Sequence, residues 1–230
     1  VLTAALKKRF LVDQNGASAV EFALLAPVLI VLLLGIGDVA PAVMARYQVD
    51  HMTESFGDLA AEYSEMQTSD MVNVFSAASD VLAPLSSTTL AVRLTNIYSD
   101  GAGHAYVYWS CGEGALPPYT ANSAVTSTPT GSPVGWFLWQ YNSSANGYTL
   151  NGTNTSYIMA ESQYVYTTPT QYIIKSPMTM TNTAYLLPRQ SSYVGFPWDG
   201  VSTDSPSVPN ATTHTTSVTL SNGAVCNYAY

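Results

Sequence analysis

Between Phe22 and Gly37 the chain carries no charged side chain, and Glu21 stands alone at the edge of that run. Extended back through Ala17–Val20, the stretch reaches about 20 residues. At 1.5 Å per residue that crosses a hydrocarbon core of about 30 Å. Lys7, Lys8 and Arg9 precede the run and Asp38 follows it. The asymmetry of basic residues puts the N-terminus on the cytoplasmic side and everything after Asp38 outside. Pro27 lies within the run, removes one backbone donor and predicts a mild kink. A cleaved secretory signal is one competing reading. The run is long for that, and Gly35-Ile36-Gly37-Asp38 is a poor small-residue exit. A simple signal anchor is another. Neither accounts for Glu21, because a carboxylate within a membrane costs ~2.5 kcal/mol or more near the centre.

The rest of the chain is acidic and weakly charged. Seven Lys and Arg stand against 15 Asp and Glu, for a net charge of −8, and three of the seven bases are Lys7–Arg9. Nucleic acid is therefore excluded as a partner, since it requires a basic face. Charged residues make up 10% of the chain, low against roughly 25% for an ordinary soluble domain. Ser, Thr, Asn and 16 Tyr fill the gap, as in secreted, adhesive or filament-forming proteins. Two cysteines, Cys111 and Cys226, occur without a CxxC motif. In an oxidising compartment they would close one long loop, worth about 4–5 kcal/mol in the chain-entropy model. The alternative is two unpaired buried thiols.

After the apolar run, Val49, Met52, Phe56, Leu59, Tyr63 and Met66 recur at steps of three and four, the stripe of an amphipathic helix continuing past a bend at Pro41. Thr68-Ser69-Asp70 offers a cap for a second helix, with Met71, Val74, Phe75, Ala78 and Leu82 on one side and Pro84 as its stop. Then the period changes to two. Residues 89–98 and 104–110 read as a hairpin turning at Asp100-Gly101, and residues 111–135 as loop. Residues 135–141 read as a short strand or aromatic loop, and 156–169 and 178–187 as two long strands. Residues 214–230 read as a hairpin with a type I′ turn at Asn222-Gly223. The expected fold class is α+β: a long N-terminal helix, transmembrane and then amphipathic, packed on an antiparallel β-sheet head. Cys226 on the last strand would meet Cys111 just after the second. The expected organisation is a basic leader over 1–16, a transmembrane and assembly helix over 17–42, an amphipathic stalk over 43–85 and a β-rich head over 86–230.

The placement of Gly16, Ala17, Glu21 and Phe22 resembles a type IV prepilin processing site. The whole stretch "GASAVEFALLAPVLIVLLLGIGD" is similar to the TadE-like family, pseudopilins of the Tad (tight adherence) pilus system, with Pro27 where that family keeps a proline. The resemblance extends through "FSAASDVLAPL", "YVYWS", "AESQYVYTTP" and "TAYLLPR", over residues 15–190. It implies a pilin-like fold and cleavage by a prepilin peptidase between Gly16 and Ala17. Glu21 would then lie one helical turn from the new amine. A carboxylate in lipid needs a cation, and the freed N-terminus of an incoming subunit supplies one. The implied partners are other copies or other pilins through the N-terminal helix, the peptidase and the inner membrane. The implied location is the inner membrane with the C-terminal domain outside, and an extracellular filament after assembly.

Residue patterns for catalysis are lacking. His51, His104 and His214 are far apart without ligand partners at metal spacing, and no HExxH, GxSxG or phosphate-loop motif occurs. The expectation is a non-enzyme with no cofactor and no metal. Asn142, Asn151, Asn154 and Asn210 each begin an N-x-[S/T] triplet, either glycan acceptors or chance in a chain rich in Asn and Thr. The expected function is a structural subunit of a Tad-type pilus or related filament. The alternative is an uncleaved, signal-anchored surface protein whose aromatic head, with Trp109, Trp136, Trp139 and Trp198, binds glycan or a partner protein.

Overall fold

A computed structural model describes residues 15–99, 105–125, 139–142, 147–150, 156–191, 194–195 and 215–229. They form two α-helices, α1 (Asn15–Ala61) and α2 (Thr68–Leu82). The strands are β1 (Leu90–Ser99), β2 (Ala105–Glu113), β3 (Trp139–Asn142), β4 (Gly147–Leu150), β5 (Ser156–Tyr166), β6 (Met178–Leu186), β7 (Thr215–Thr219) and β8 (Val225–Ala229). The fold is α+β. Six strands form one antiparallel sheet in the order β6-β5-β1-β2-β8-β7, and β3 pairs with β4 separately. The chain divides into two compact units. The first comprises residues up to Met44 with Thr167–Pro177, the β5–β6 connection, and the second is Ala45–Tyr166 with Met178–Tyr230.

In the second unit α1 is amphipathic. Val49, Met52, Phe56 and Ala60 are buried at steps of three and four, which keeps one stripe against the sheet. Thr53 donates back to the Val49 carbonyl at 2.7 Å and meets the Ser162 hydroxyl of β5 at 2.5 Å. Gly57 lies directly on the sheet: a Cβ there would come within 2.9 Å of the Ala160 Cβ and closer still to Leu186. Phe56 meets Phe75 of α2 edge to face, with centroids 5.2 Å apart. The stripe ends earlier than the periodicity predicts. Helix α1 stops at Ala61, and Tyr63 and Met66 lie beyond it. Arg189 closes that end: its N–H donates to the Ala61 carbonyl at 2.9 Å, and its guanidinium pairs with Asp58 and Glu62. A cation and a donor at a helix C-terminus answer its orphan carbonyls and its dipole. Met66 stays buried in the connection, where Met66 N–H donates to Gly195 and Gly195 N–H to Ser64.

The cap of α2 also differs from expectation. Gln67, not a residue of the Thr68–Asp70 trio, is the N-cap, and its N–H donates to the Asp70 carboxylate at 3.0 Å. Met71, Val74, Phe75, Ala78 and Leu82 form the buried face. Strand β2 runs to Glu113, past the predicted end at Ser110, so Cys111 lies within the strand. It stands opposite Cys226 of β8, and the two form a disulfide. The β7–β8 turn is not the two-residue type I′ turn expected at Asn222-Gly223. Leu220 N–H bonds the Ala224 carbonyl at 2.7 Å, enclosing the three residues Ser221–Gly223. Gly223, at φ 90°, takes the left-handed position that such loops reserve for glycine. The Asp100-Gly101 turn and residues 126–135 of the predicted 111–135 loop lie outside the described residues.

The sheet's other face is polar at its centre. Arg93 of β1 pairs with Glu161 of β5 at 2.7 Å, both largely buried. The residues after β2 cross over them: Arg93 donates to the Pro117 carbonyl at 2.8 Å, and its guanidinium lies 3.7 Å from the Tyr119 ring centre. Gly112 permits that crossing, since a Cβ would strike the Leu116 carbonyl oxygen. Burial works against the Arg93 charge, but the hydrogen bond and charge of Glu161 outweigh it and the pKa rises. Burial and Glu161 together hold the Tyr119 phenol above its ordinary value. At the end of β2, burial raises the Glu113 pKa.

Two outcomes follow from this packing. Gly57→Leu forces a side chain into the α1–sheet contact, and such overpacking costs typically about 1–3 kcal/mol; a thermal melt of the full chain in detergent reads it. Glu113 titrates above its unfolded value, so its ionisation opposes folding as pH rises through the folded pKa. Glu113→Gln should therefore raise Tm slightly at pH 7, with the difference fading in acid, where the carboxyl is protonated in both folded and unfolded states.

Candidate functional site

The first half of α1 differs from the second in having no buried stripe. Phe22 is 66% exposed and Leu24 74%, and Val28, Leu29, Ile30, Val31, Leu32 and Leu33 are all exposed. Successive residues of a helix step by about 100°, so six in a row cover every side. This segment is apolar all round and its fold leaves it uncovered. Over Ser18–Ala61, α1 is long and apolar enough to cross a membrane, the one such helix among the described residues.

The candidate processing and assembly residues sit at the start of this helix. Gly16 is exposed, with open space around its Cα, and Asn15 is the first helical residue described. Glu21 and Phe22 are exposed as well. Ala17 and Glu21 are four residues apart in a continuous helix, which stacks them one turn apart on one face, about 6 Å along the axis. Pro27 and Pro41 both lie inside α1. Lys7–Arg9 fall outside the described residues.

Other sequence candidates are distributed differently. Trp109 is fully buried and its indole N–H donates to the Val194 carbonyl at 2.9 Å. It is therefore a core residue and offers no face to a sugar. Trp136 and Trp198 lie outside the described residues, and Trp139 opens β3. Asn142 closes β3, while Asn151, Asn154 and Asn210 are outside the described residues. His51 is exposed on α1; His104 and His214 are not described. Among the described residues no group of His, Cys, Asp and Glu could hold a metal ion.

Sequence reasoning missed one element of the first unit. Asp38, read as the mere end of the apolar run, is fully buried. The β5–β6 connection encloses it. Thr170 Oγ1 donates to one carboxylate oxygen, and the N–H groups of Ile173 and Ile174 donate to the other at 2.7 and 3.2 Å. Thr168 Oγ1 donates to the Ile174 carbonyl at 2.9 Å and braces the loop from within. Gln171, at φ 53°, provides the reversal. An unpaired acid closing an apolar helix was the available signal, but its donors lie more than 130 residues away.

Residues 16–55 match the family model described as TadE-like protein. Over that stretch the N-terminal helix is similar to the TadE-like family. The match opens at Gly16, takes in Glu21, Phe22, Pro27 and Asp38, and covers the bare apolar segment together with the start of the buried stripe at Ala45, Val49 and Met52. It ends at Ser55 and does not extend over the resemblances read further on, to residue 190. No curated protein and no solved structure matches the chain.

Asp38 holds the β5–β6 connection through three donors. Asp38→Ala should release that loop and make the Lys175 peptide bond severalfold more sensitive to trypsin, with the rest of the digestion pattern unchanged.

Proposed function

We propose that this chain is a pilin-like structural subunit of a Tad-type pilus or a related filament, with no catalytic role. The observation that carries this reading is the TadE-like first half of α1, uncovered on every side, with Glu21 one turn beyond Ala17. Such a surface cannot remain in water. It is satisfied in a bilayer, and equally among the same helices of neighbouring subunits, where van der Waals packing replaces lipid. Transfer from the first setting to the second is the assembly step.

In this reading a prepilin peptidase removes residues 1–16 and frees the Ala17 amine. Glu21 is costly in lipid without a cation. The amine of an incoming subunit pairs with it, which fixes the register between helices before the apolar contacts close. Leader removal also discards Lys7–Arg9, three charges that would resist extraction from the bilayer. The head remains outside the inner membrane and is displayed on the filament surface, with the Cys111–Cys226 disulfide suited to an oxidising compartment.

Intact mass and a shear-fraction assay test the reading. The native subunit should begin at Ala17 and appear in the sheared filament fraction. Glu21→Ala should be processed normally yet reach that fraction at least tenfold less, a change equivalent to about 1.4 kcal/mol or more per subunit added. A native mass that retains Lys7–Arg9, or normal filaments with Ala at position 21, contradicts the reading and favours a permanently anchored surface protein.

A further inference from the structure

We infer that the β5–β6 connection, Thr167–Pro177, is a membrane-interface anchor that docks on the outer leaflet of a lipid bilayer beside the end of the α1 span. Its tip presents Tyr172, 60% exposed, and Ile173, 51% exposed, followed by exposed Lys175. An aromatic ring, a branched aliphatic chain and a lysine in succession suit the headgroup level. There the ring sits at the boundary, the aliphatic chain enters the acyl region and the ammonium snorkels to phosphate. In water the two apolar side chains would be exposed on a loop that is otherwise tightly hydrogen-bonded.

The occupant is specified by where the loop is fixed. Asp38 follows the uncharged run Phe22–Gly37 directly, and twenty residues ending at Gly37 cover the hydrocarbon thickness of about 30 Å. The three donors to Asp38 therefore hold Tyr172 and Ile173 at the outer boundary of that span. Exposed apolar side chains flank Asp38 on the helix itself: Ile36 before it, Val39 and Val43 after it. At 100° per residue these three lie on the side of α1 away from Asp38, so helix and loop each present apolar side chains at that level, on opposite sides. Asp38 would be expensive there as a bare carboxylate. Its hydroxyl and two amide donors supply what water would, and the same bonds keep the loop at fixed depth. Asp38 is thus a positioning residue, and Tyr172 and Ile173 make the contact.

This inference rests on α1 spanning a bilayer, and the test separates the two claims. The full chain, its native cysteines closed in the disulfide, carries a single added cysteine, Ile173→Cys or Leu29→Cys. Each is labelled with a nitroxide and reconstituted at high lipid-to-protein ratio in phosphatidylcholine–phosphatidylglycerol vesicles. Power-saturation spectroscopy compares collision with oxygen, which partitions into lipid, and with a water-soluble nickel chelate. At both positions oxygen should dominate, severalfold at 29 and less steeply at 173, placing the latter within about 5–10 Å of the headgroup–acyl boundary. Adding Asp38→Ala should return the label at 173 to the nickel chelate and leave 29 unchanged. Nickel dominance at 173 with oxygen dominance at 29 overturns the anchor and leaves the span. Nickel dominance at both overturns the span and the anchor with it. Dipolar broadening at 173 that persists on lipid dilution assigns the loop to a second copy and overturns a lipid contact.

Discussion

One helix, α1, presents two different surfaces, and the rest of the structure follows from that division. From Phe22 to Ile36 its side chains are apolar on every side and mostly uncovered; from Ala45 to Ala61 one stripe is buried and the opposite side is polar. The first surface has no stable place in water. The second is an ordinary globular contact, closed by a sheet and a second helix. Asp38 and the loop bonded to it occur where the uncharged run ends.

The buried stripe explains the features of the head that packing must satisfy. Helix α1 approaches β5 and β6 so closely that Gly57 has no room for a side chain, and Thr53 and Ser162 share a hydrogen bond in the gap. On the reverse face, Arg93 and Glu161 are opposite charges at paired positions of adjacent strands. They tolerate burial because Tyr119 and the Pro117 carbonyl complete the guanidinium's bonding. Breaking one member of such a cluster costs far more than the pair contributes, since the survivor is left charged and buried. The ends of the structure are tied by long-range bonds: Arg189 to the C-terminus of α1, and the Val194 carbonyl to Asn96 and Trp109. A head of modest charge content is thus held by a few well-placed polar contacts within an apolar core.

The membrane-length helix, the second helix, the six strands of the main sheet and the α+β class were legible because each rests on local periodicity. The stripe through Phe56 and the alternation of β5 are patterns of 3.6 and of two that neighbouring residues carry. Errors fell where long-range contacts decide. Tyr63 and Met66 continue the helical period, yet α1 stops at Ala61 because Arg189 satisfies its last carbonyl. Cys111 reads as loop, beside Gly and Pro, yet β8 recruits it into β2. Trp109 could be read from sequence as strand core or as a face for sugars, and the contact with the Val194 carbonyl decides for core. The turn at Asn222-Gly223 has the right residues but one more in the loop than a type I′ hairpin allows.

By itself the sequence determined that the N-terminal segment is helical, apolar on all sides and marked by one acid near its start, because composition and period fix those properties without reference to the rest of the chain. It also determined the alternation of the strands. Tertiary structure alone decided strand order, the pairing of Arg93 with Glu161 and the enclosure of Asp38 by a loop distant in sequence. Those are contacts between residues whose local patterns carry no information about one another, and only the shape of the folded chain brings them within bonding distance.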